Sequence, residues 1–404
     1  MNLNAVIVGH VDHGKSTLIG RLLYDSATLP EDKLAEIQKL LEEYKKRFEF
    51  AYFLDSFEEE LQEERTIDTT RVLFKGKGEN YYTIVDVPGH KEFIKNMLTG
   101  ACHAQVAILV VSAPDGVQEQ TRRHAFLVHM LGINDIIVAV NKMDLVGYQQ
   151  PAFAKVKTEA AELLSSMGYV DAAFIPISAM EGDNVYHASG KMPWYQGPTL
   201  IGMLDGLKPK ETAEKPLRFV VQDAYTSGSE KIVVGRVESG RLKKGQELIF
   251  QPSNIKGRVE KIKIFPKEIE EALTGDSIGI LVDGKPVRGD VAGLLSSQPK
   301  AATSFLGEVA LLEGTLGRGD EIEMKCGTKR ARCKVAAIRE RINSETGAVI
   351  GKDIDRIGEN EAATIVFQSE PVVIEVFSEL PELGRFIIAR DNKNIGAGVI
   401  LGSG

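Results

Sequence analysis

One short stretch, Gly9-His10-Val11-Asp12-His13-Gly14-Lys15-Ser16, leaves this chain few ways to fold. It fits G-x-x-x-x-G-K-[ST], follows the apolar run 3–8 and opens a segment of helical period over 15–23. Gly9 and Gly14 permit a tight loop whose backbone N–H groups can wrap phosphate oxygens, and the start of the helix adds a favourable dipole. Lys15 supplies a point charge to the β- and γ-phosphates, and the Ser16 hydroxyl is a ligand for Mg²⁺. The contacts expected from this stretch are Gly9, Asp12, His13, Gly14, Lys15, Ser16 and Thr17.

The surrounding pattern supplies a frame for that loop. Apolar runs at 82–86, 106–112, 136–140 and 173–177 alternate with helical patterns around 120–131 and 153–167. Such alternation predicts an α/β domain with a mostly parallel sheet and helices on both faces. One insertion, with Leu34, Ile37, Leu41, Tyr44 and Phe48 at helical spacing, interrupts it and reads as a packing helix. Past Lys208-Pro209-Lys210 the texture changes to short strands punctuated by Gly240, Gly245, Gly257, Gly275, Gly284 and Gly289, which predicts β-barrels. The polar stretch 296–300 reads as a second linker. The expected domains are therefore 1–207, an α/β P-loop domain, followed by two β-barrel domains at 208–298 and 299–404.

Further motifs narrow the ligand. Asp86-Val87-Pro88-Gly89-His90 stands at a strand end, where Asp86 can hold the metal through water and Gly89 lets a backbone N–H approach the γ-phosphate. Asn141-Lys142-Met143-Asp144 fixes the base: the Asp144 carboxylate accepts two hydrogen bonds from guanine N1–H and N2–H₂, which adenine cannot offer. Asn141 steadies the loop and the Lys142 stem lies along the base plane. Ser178-Ala179-Met180 places a backbone N–H against guanine O6. Thr66 is expected to bind Mg²⁺ and sense the γ-phosphate, and His90 to orient the attacking water. Lys15, Thr66 and His90 form the expected catalytic set, and Ser16, Thr66 and Asp86 the metal set. The expected ligands are GTP or GDP with Mg²⁺.

On these motifs the chain resembles the translation-factor-type GTPases, both elongation factor 1-alpha and the GTPase subunit of sulfate adenylyltransferase. The resemblance implies a GTPase domain followed by two β-barrels whose orientation GTP hydrolysis switches. The hairpin 235–245 and the segments 384–386 and 396–400 are similar to the second and third domains of that family. Two branches stay open. The strings 121–124, 178–185 and 330–335 are more similar to the sulfate-activating subunit, whereas 10–13 and 90–97 are more similar to an elongation factor. The expectation leans to the former, acting with a separate adenylyltransferase subunit. The alternatives are a carrier of aminoacyl-tRNA to the ribosome and a weakly hydrolysing GTP-gated binding switch. Both branches normally carry Gly-Ile before the switch threonine, and Glu64-Arg65 stands there instead. Arg65 reads either as a solvated loop charge or as an arginine finger supplied in cis.

Composition excludes some partners. A net charge of −8 argues against strong non-specific binding to nucleic acid. The cluster Lys329, Arg330, Arg332, Lys334, Arg339 and Arg341 reads as a solvated strand face, with RNA or an acidic partner as the rival reading. Three cysteines without a Cys-x-x-Cys pair fit a reducing, cytoplasmic setting. The longest apolar runs are far shorter than a bilayer span, so no membrane partner is expected.

Overall fold

A computed structural model describes residues 2–26, 71–78, 80–85, 104–207, 215–227, 230–264 and 267–403. Two compact units emerge: Met1–Pro209 with Ser344–Ala348, and Lys210–Asn343 with Val349–Gly404.

The first unit is built on strands β1 (Asn2–Gly9), β2 (Arg71–Lys75), β3 (Tyr81–Val85), β4 (Val106–Ser112), β5 (Asp135–Asn141) and β6 (Ala173–Pro176). They line up as β2-β3-β1-β4-β5-β6. From β3 to β6 every pairing is parallel, and β2 adds an antiparallel edge that the sequence pattern did not announce. Helices α1 (Lys15–Asp25), α2 (Glu119–Met130), α3 (Gln150–Ser166) and α4 (Leu200–Gly206) accompany the sheet. Every residue of β4 is buried, which requires cover on both of its faces. One face packs Ala5, Ile7, Ile108 and Val110 with Leu18, Ile19 and Leu22 of α1 and Leu200 and Leu204 of α4. Val6, Val8, Leu109 and Val138 point the other way and are buried as well.

The second unit holds two closed six-stranded barrels. In the first, the ring runs Glu247–Gln251, Val291–Leu294, Arg218–Ser227, Glu230–Ser239, Ser277–Val282 and Ile255–Ile264, and the last strand pairs back with the first. In the second it runs Glu321–Cys326, Arg385–Arg390, Lys393–Ser403, Ala301–Leu311, Ala362–Val373 and Lys329–Ile342, closing in the same way. Closure removes the unpaired edges that an open sheet would expose. The core of the second barrel is organised by Phe305, Phe367 and Phe386, whose ring centroids lie 5.0–5.7 Å apart. Gly257 proves to be a strand residue, not a turn: a Cβ there would lie 2.4 Å from the Val282 side chain. The polar stretch 296–300 is held in place, since Ser297 O accepts from Arg218 Nη1 at 2.8 Å.

Alternation in Lys329–Ile342 buries Ala331, Cys333 and Val335 and turns Arg330, Arg332 and Lys334 outward. Those cations face carboxylates: Arg332 stands opposite Glu323 and Lys334 opposite Glu321, and Arg330 lies 3.8 Å from Glu323. Glu321 and Glu323 offset part of that charge, although Lys325 stands opposite Arg330, and the geometry favours the solvated face over a nucleic-acid patch. Cys326 and Cys333 are buried and free, and burial pushes both thiols up to about 12. Cys102 and the insertion carrying Leu34, Ile37, Leu41, Tyr44 and Phe48 lie outside the described residues. Among the described residues, no helix is long and apolar enough to cross a membrane.

Candidate nucleotide site

The loop from Gly9 to Gly14 joins β1 to α1, and its shape depends on left-handed backbone. Asp12 has φ 63° and Gly14 φ 89°. A Cβ on Gly14 would lie 2.5 Å from Asn141 Nδ2, and one on Gly9 2.3 Å from Val110 O, so neither position admits a side chain without displacement. Gly14 also caps α1 without any side-chain acceptor, and no acidic residue occupies the first turn. The leading N–H groups of α1 therefore meet the loop without a competing carboxylate, as an anion site needs. Lys15 Nζ donates to Gly9 O at 3.1 Å and His10 O at 2.9 Å, which holds its charge over the loop. Ser16 and Thr17 follow in the first turn of the helix.

The loop is braced from behind. Val11 N–H donates to Gln120 Oε1 at 3.0 Å, and Gly9 N–H to His124 Nδ1 at 3.2 Å, both on α2. His13 is buried, with Nδ1 3.3 Å from both Val110 O and the Ser112 N–H. Burial lowers its pKa from 6.5 to about 4, so the ring is neutral near pH 7. Its side chain is a wedge in the core, and it serves the loop through its backbone: His13 O accepts from Asn141 Nδ2 at 2.9 Å.

Asn141 connects the two ends of the site. Its other terminal atom, Oδ1, accepts from Ala179 N–H at 2.9 Å. After it the chain turns through Lys142 at φ 62° into a single 3-10 turn, Met143–Val146, that carries Asp144. Asp144 Oδ1 accepts from the Ser178 hydroxyl at 2.7 Å. Met143 N–H donates to Ile177 O at 3.2 Å, which pins the turn to the end of β6. Asn141, Lys142, Asp144, Ser178, Ala179 and Met180 are thus brought together, next to the loop holding Gly9, Asp12, His13, Gly14, Lys15, Ser16 and Thr17. Since the Ala179 N–H is engaged by Asn141, Met180 offers the loop's next backbone donor.

Thr66, Asp86, Gly89 and His90, together with Glu64 and Arg65, lie outside the described residues. Of the expected metal ligands only Ser16 is described, at the uncapped start of α1.

Sequence reasoning missed several supports. Arg21 of α1 donates to Met180 O at 3.4 Å, and its guanidinium would collide with a Cβ on Gly182 at 2.2 Å. Asp183 collects Ser189, Tyr148 and Lys191. Arg21 and Met180 are 159 residues apart and Tyr148 and Asp183 35 apart, so those pairs leave no local pattern, although Asp183 and His124 do stand in the strings weighed above for family branch.

Comparison with known proteins adds to this geometry. The family described as Elongation factor Tu GTP binding domain matches residues 1–222, Elongation factor Tu domain 2 matches 230–293, and GTP-eEF1A C-terminal domain-like matches 305–401. Elongation factor 1-alpha of Pyrococcus furiosus is 40% identical, over 99% of this chain and 97% of that protein. Elongation factor 1-alpha of Methanothrix thermoacetophila is 41% identical, over 98% and 97%. Among solved structures, Sup35 complexed with GDP is similar at 24% identity and a TM-score of 0.46, over 99% of this chain and 93% of that one. The two elongation factors move the balance from the sulfate-activating branch, with its adenylyltransferase subunit, to the elongation-factor branch. Strings 121–124, 178–185 and 330–335 serve respectively in bracing the phosphate loop, shaping the base loop and forming a barrel strand. None of those duties is particular to sulfate activation.

Proposed function

The chain belongs to the translation-factor GTPases of the elongation factor Tu type, and from that premise we propose that it carries aminoacyl-tRNA to the ribosome as an elongation-factor-1-alpha-like factor. It binds guanine nucleotide and is a GTPase, as its family is. The observation that supports the finer reading is 40% identity to elongation factor 1-alpha across 99% of the chain.

In this reading the backbone of Gly9–Gly14 and the start of α1 cradle the phosphates, with Lys15 balancing their charge. Ser16, with Thr66 and Asp86, would hold a Mg²⁺ ion that offsets negative charge on the phosphate oxygens. Asp144 accepts from the guanine N1–H and amino groups, Lys142 lies along the base, and the loop of Ser178, Ala179 and Met180 covers its O6 edge. His90 orients water for attack. Glu64-Arg65 stands where the family normally carries Gly-Ile, and Arg65 tests how hydrolysis is controlled. An Arg65→Ile variant that turns over GTP as fast as the parent, or faster, argues against an arginine finger.

Protection of an aminoacyl ester tests the carrier reading. The protein with a non-hydrolysable GTP analogue should slow deacylation of aminoacyl-tRNA, and with GDP it should not. Equal deacylation in both states, while the analogue is bound, would contradict it.

A further inference from the structure

The base end of the site has an outer support that no part of the reading above uses. Two loops meet there: 141–148 after β5 and 178–184 after β6. Near the sheet they are joined by Asn141 to Ala179 and by Ser178 to Asp144. At their far ends they are joined again, through a side-chain network around Asp183.

Asp183 Oδ2 accepts from the Tyr148 hydroxyl at 3.0 Å and from Lys191 Nζ at 3.1 Å, and Oδ1 accepts from the Ser189 hydroxyl at 2.6 Å. Lys191 also donates to the Tyr148 oxygen at 3.0 Å and lies 5.0 Å from the centre of its ring. Tyr148 is further fixed by its carbonyl, which accepts from Trp194 Nε1 at 2.9 Å. The Asp183 side chain is only 10% exposed. Burial alone would raise its pKa, but bonds from Ser189, Lys191 and Tyr148 outweigh it and hold the carboxyl below its usual value. Glu181, two residues back, lies 3.7 Å from the same Lys191, so its charge faces the cluster as well.

The consequence lies in leverage. Asp144 sits on a single 3-10 turn between two left-handed residues, Lys142 and Gly147. A turn that short is not rigid by itself. Its upstream end is fixed through Asn141, and its downstream end at Tyr148, also left-handed at φ 58°, through Asp183. Asp183 in turn belongs to the loop that supplies Ser178 to the Asp144 carboxylate: Ser178 N–H donates to Asp183 O at 3.1 Å. We propose that Asp183, with Tyr148 and Lys191, is a positioning group for guanine selectivity, clamping the outer ends of the two loops so that the Asp144 carboxylate faces both the N1–H and the 2-amino group of the base. Loss of the clamp misaims the carboxylate. Because inosine lacks the 2-amino group, a misaimed Asp144 harms GDP more than IDP.

The test is affinity of the intact protein for GDP and for IDP, with the melting temperature measured alongside. Asp183→Ala is expected to narrow the GDP-over-IDP preference by about tenfold, the worth of one charge-assisted hydrogen bond. Tyr148→Phe, which removes one oxygen and keeps the ring, is expected to narrow it by about threefold without moving the melting temperature. Lys191→Arg is expected to preserve the preference. If Asp183→Ala does not fold, Tyr148→Phe decides. A Tyr148→Phe protein that keeps the parent ratio, or loses GDP and IDP affinity in equal proportion, overturns the positioning role. The proposal rests on the guanine-binding part of the reading above. A parent protein that binds ADP as well as GDP would sink that reading, whereas a GDP-selective parent with unaltered variants would sink only the clamp.

Discussion

The phosphate end and the base end of the proposed nucleotide site are made by opposite means. The phosphate end is backbone: a loop with left-handed Asp12 and Gly14, an uncapped helix start, and buried side chains that press on it from behind. The base end is side chains, Asn141, Asp144 and Ser178, each aimed by another side chain or by a backbone group. What the contrast teaches is where each end is vulnerable. Added bulk should damage the first for every nucleotide, and a change of polar group should damage the second for one base only.

The largest effect follows from bulk. Gly9→Ala combines a positive φ of 148° with a Cβ 2.3 Å from Val110 O, so affinity should fall about a hundredfold. Calorimetry should find the same loss for GDP and IDP, and a loss confined to GDP would break the comparison. Next comes Asp144→Asn. Removing one carboxylate oxygen replaces an acceptor with a donor, so GDP binding should weaken about tenfold or more and xanthosine diphosphate binding should improve. Competition titrations would check both shifts.

A smaller effect concerns pH. His13 is held neutral by burial, with its pKa lowered to about 4 against 6.5 in the unfolded chain. The unfolded state therefore binds the proton more readily, and this group removes stability as pH falls from 6.5 towards 4. His13→Gln should show a flatter melting-temperature profile across that window, and a parallel profile would contradict the assignment. The smallest effect on nucleotide should come from the barrel unit. Arg218, nearly buried, donates to Glu375 at 2.6 Å and to two carbonyls. Arg218→Met should lower the melting temperature of the second unit, since it leaves Glu375 without that partner, and leave GDP affinity unchanged.

How much of this was legible in the sequence follows the same division. The phosphate loop is one contiguous string, and its glycines announce the backbone they must adopt. Asn141, Asp144 and Ser178 were legible because each stands at or just past the end of a strand, where a parallel sheet delivers its loops to one edge. The braces were not. Gln120 and Val11 are 109 residues apart and His124 and Gly9 115 apart, so nothing local marks them as partners. Glycine punctuation in the second half announced short strands and β-barrels, yet the ring order and the role of Gly257 depend on contacts that only closure creates. The leaning towards sulfate activation came from short strings whose residues turn out to hold loops and strands in place. Similarity over the whole chain weighs more than such strings.

The most direct test of the elongation-factor assignment is peptide synthesis in an extract depleted of its own elongation factor 1-alpha. Adding this protein with GTP should restore poly(U)-directed phenylalanine incorporation, and the Asp144→Asn variant should do so only when xanthosine triphosphate is supplied. Failure of the parent protein to restore incorporation, while it still binds GTP and the extract still responds to its native factor, would contradict the account.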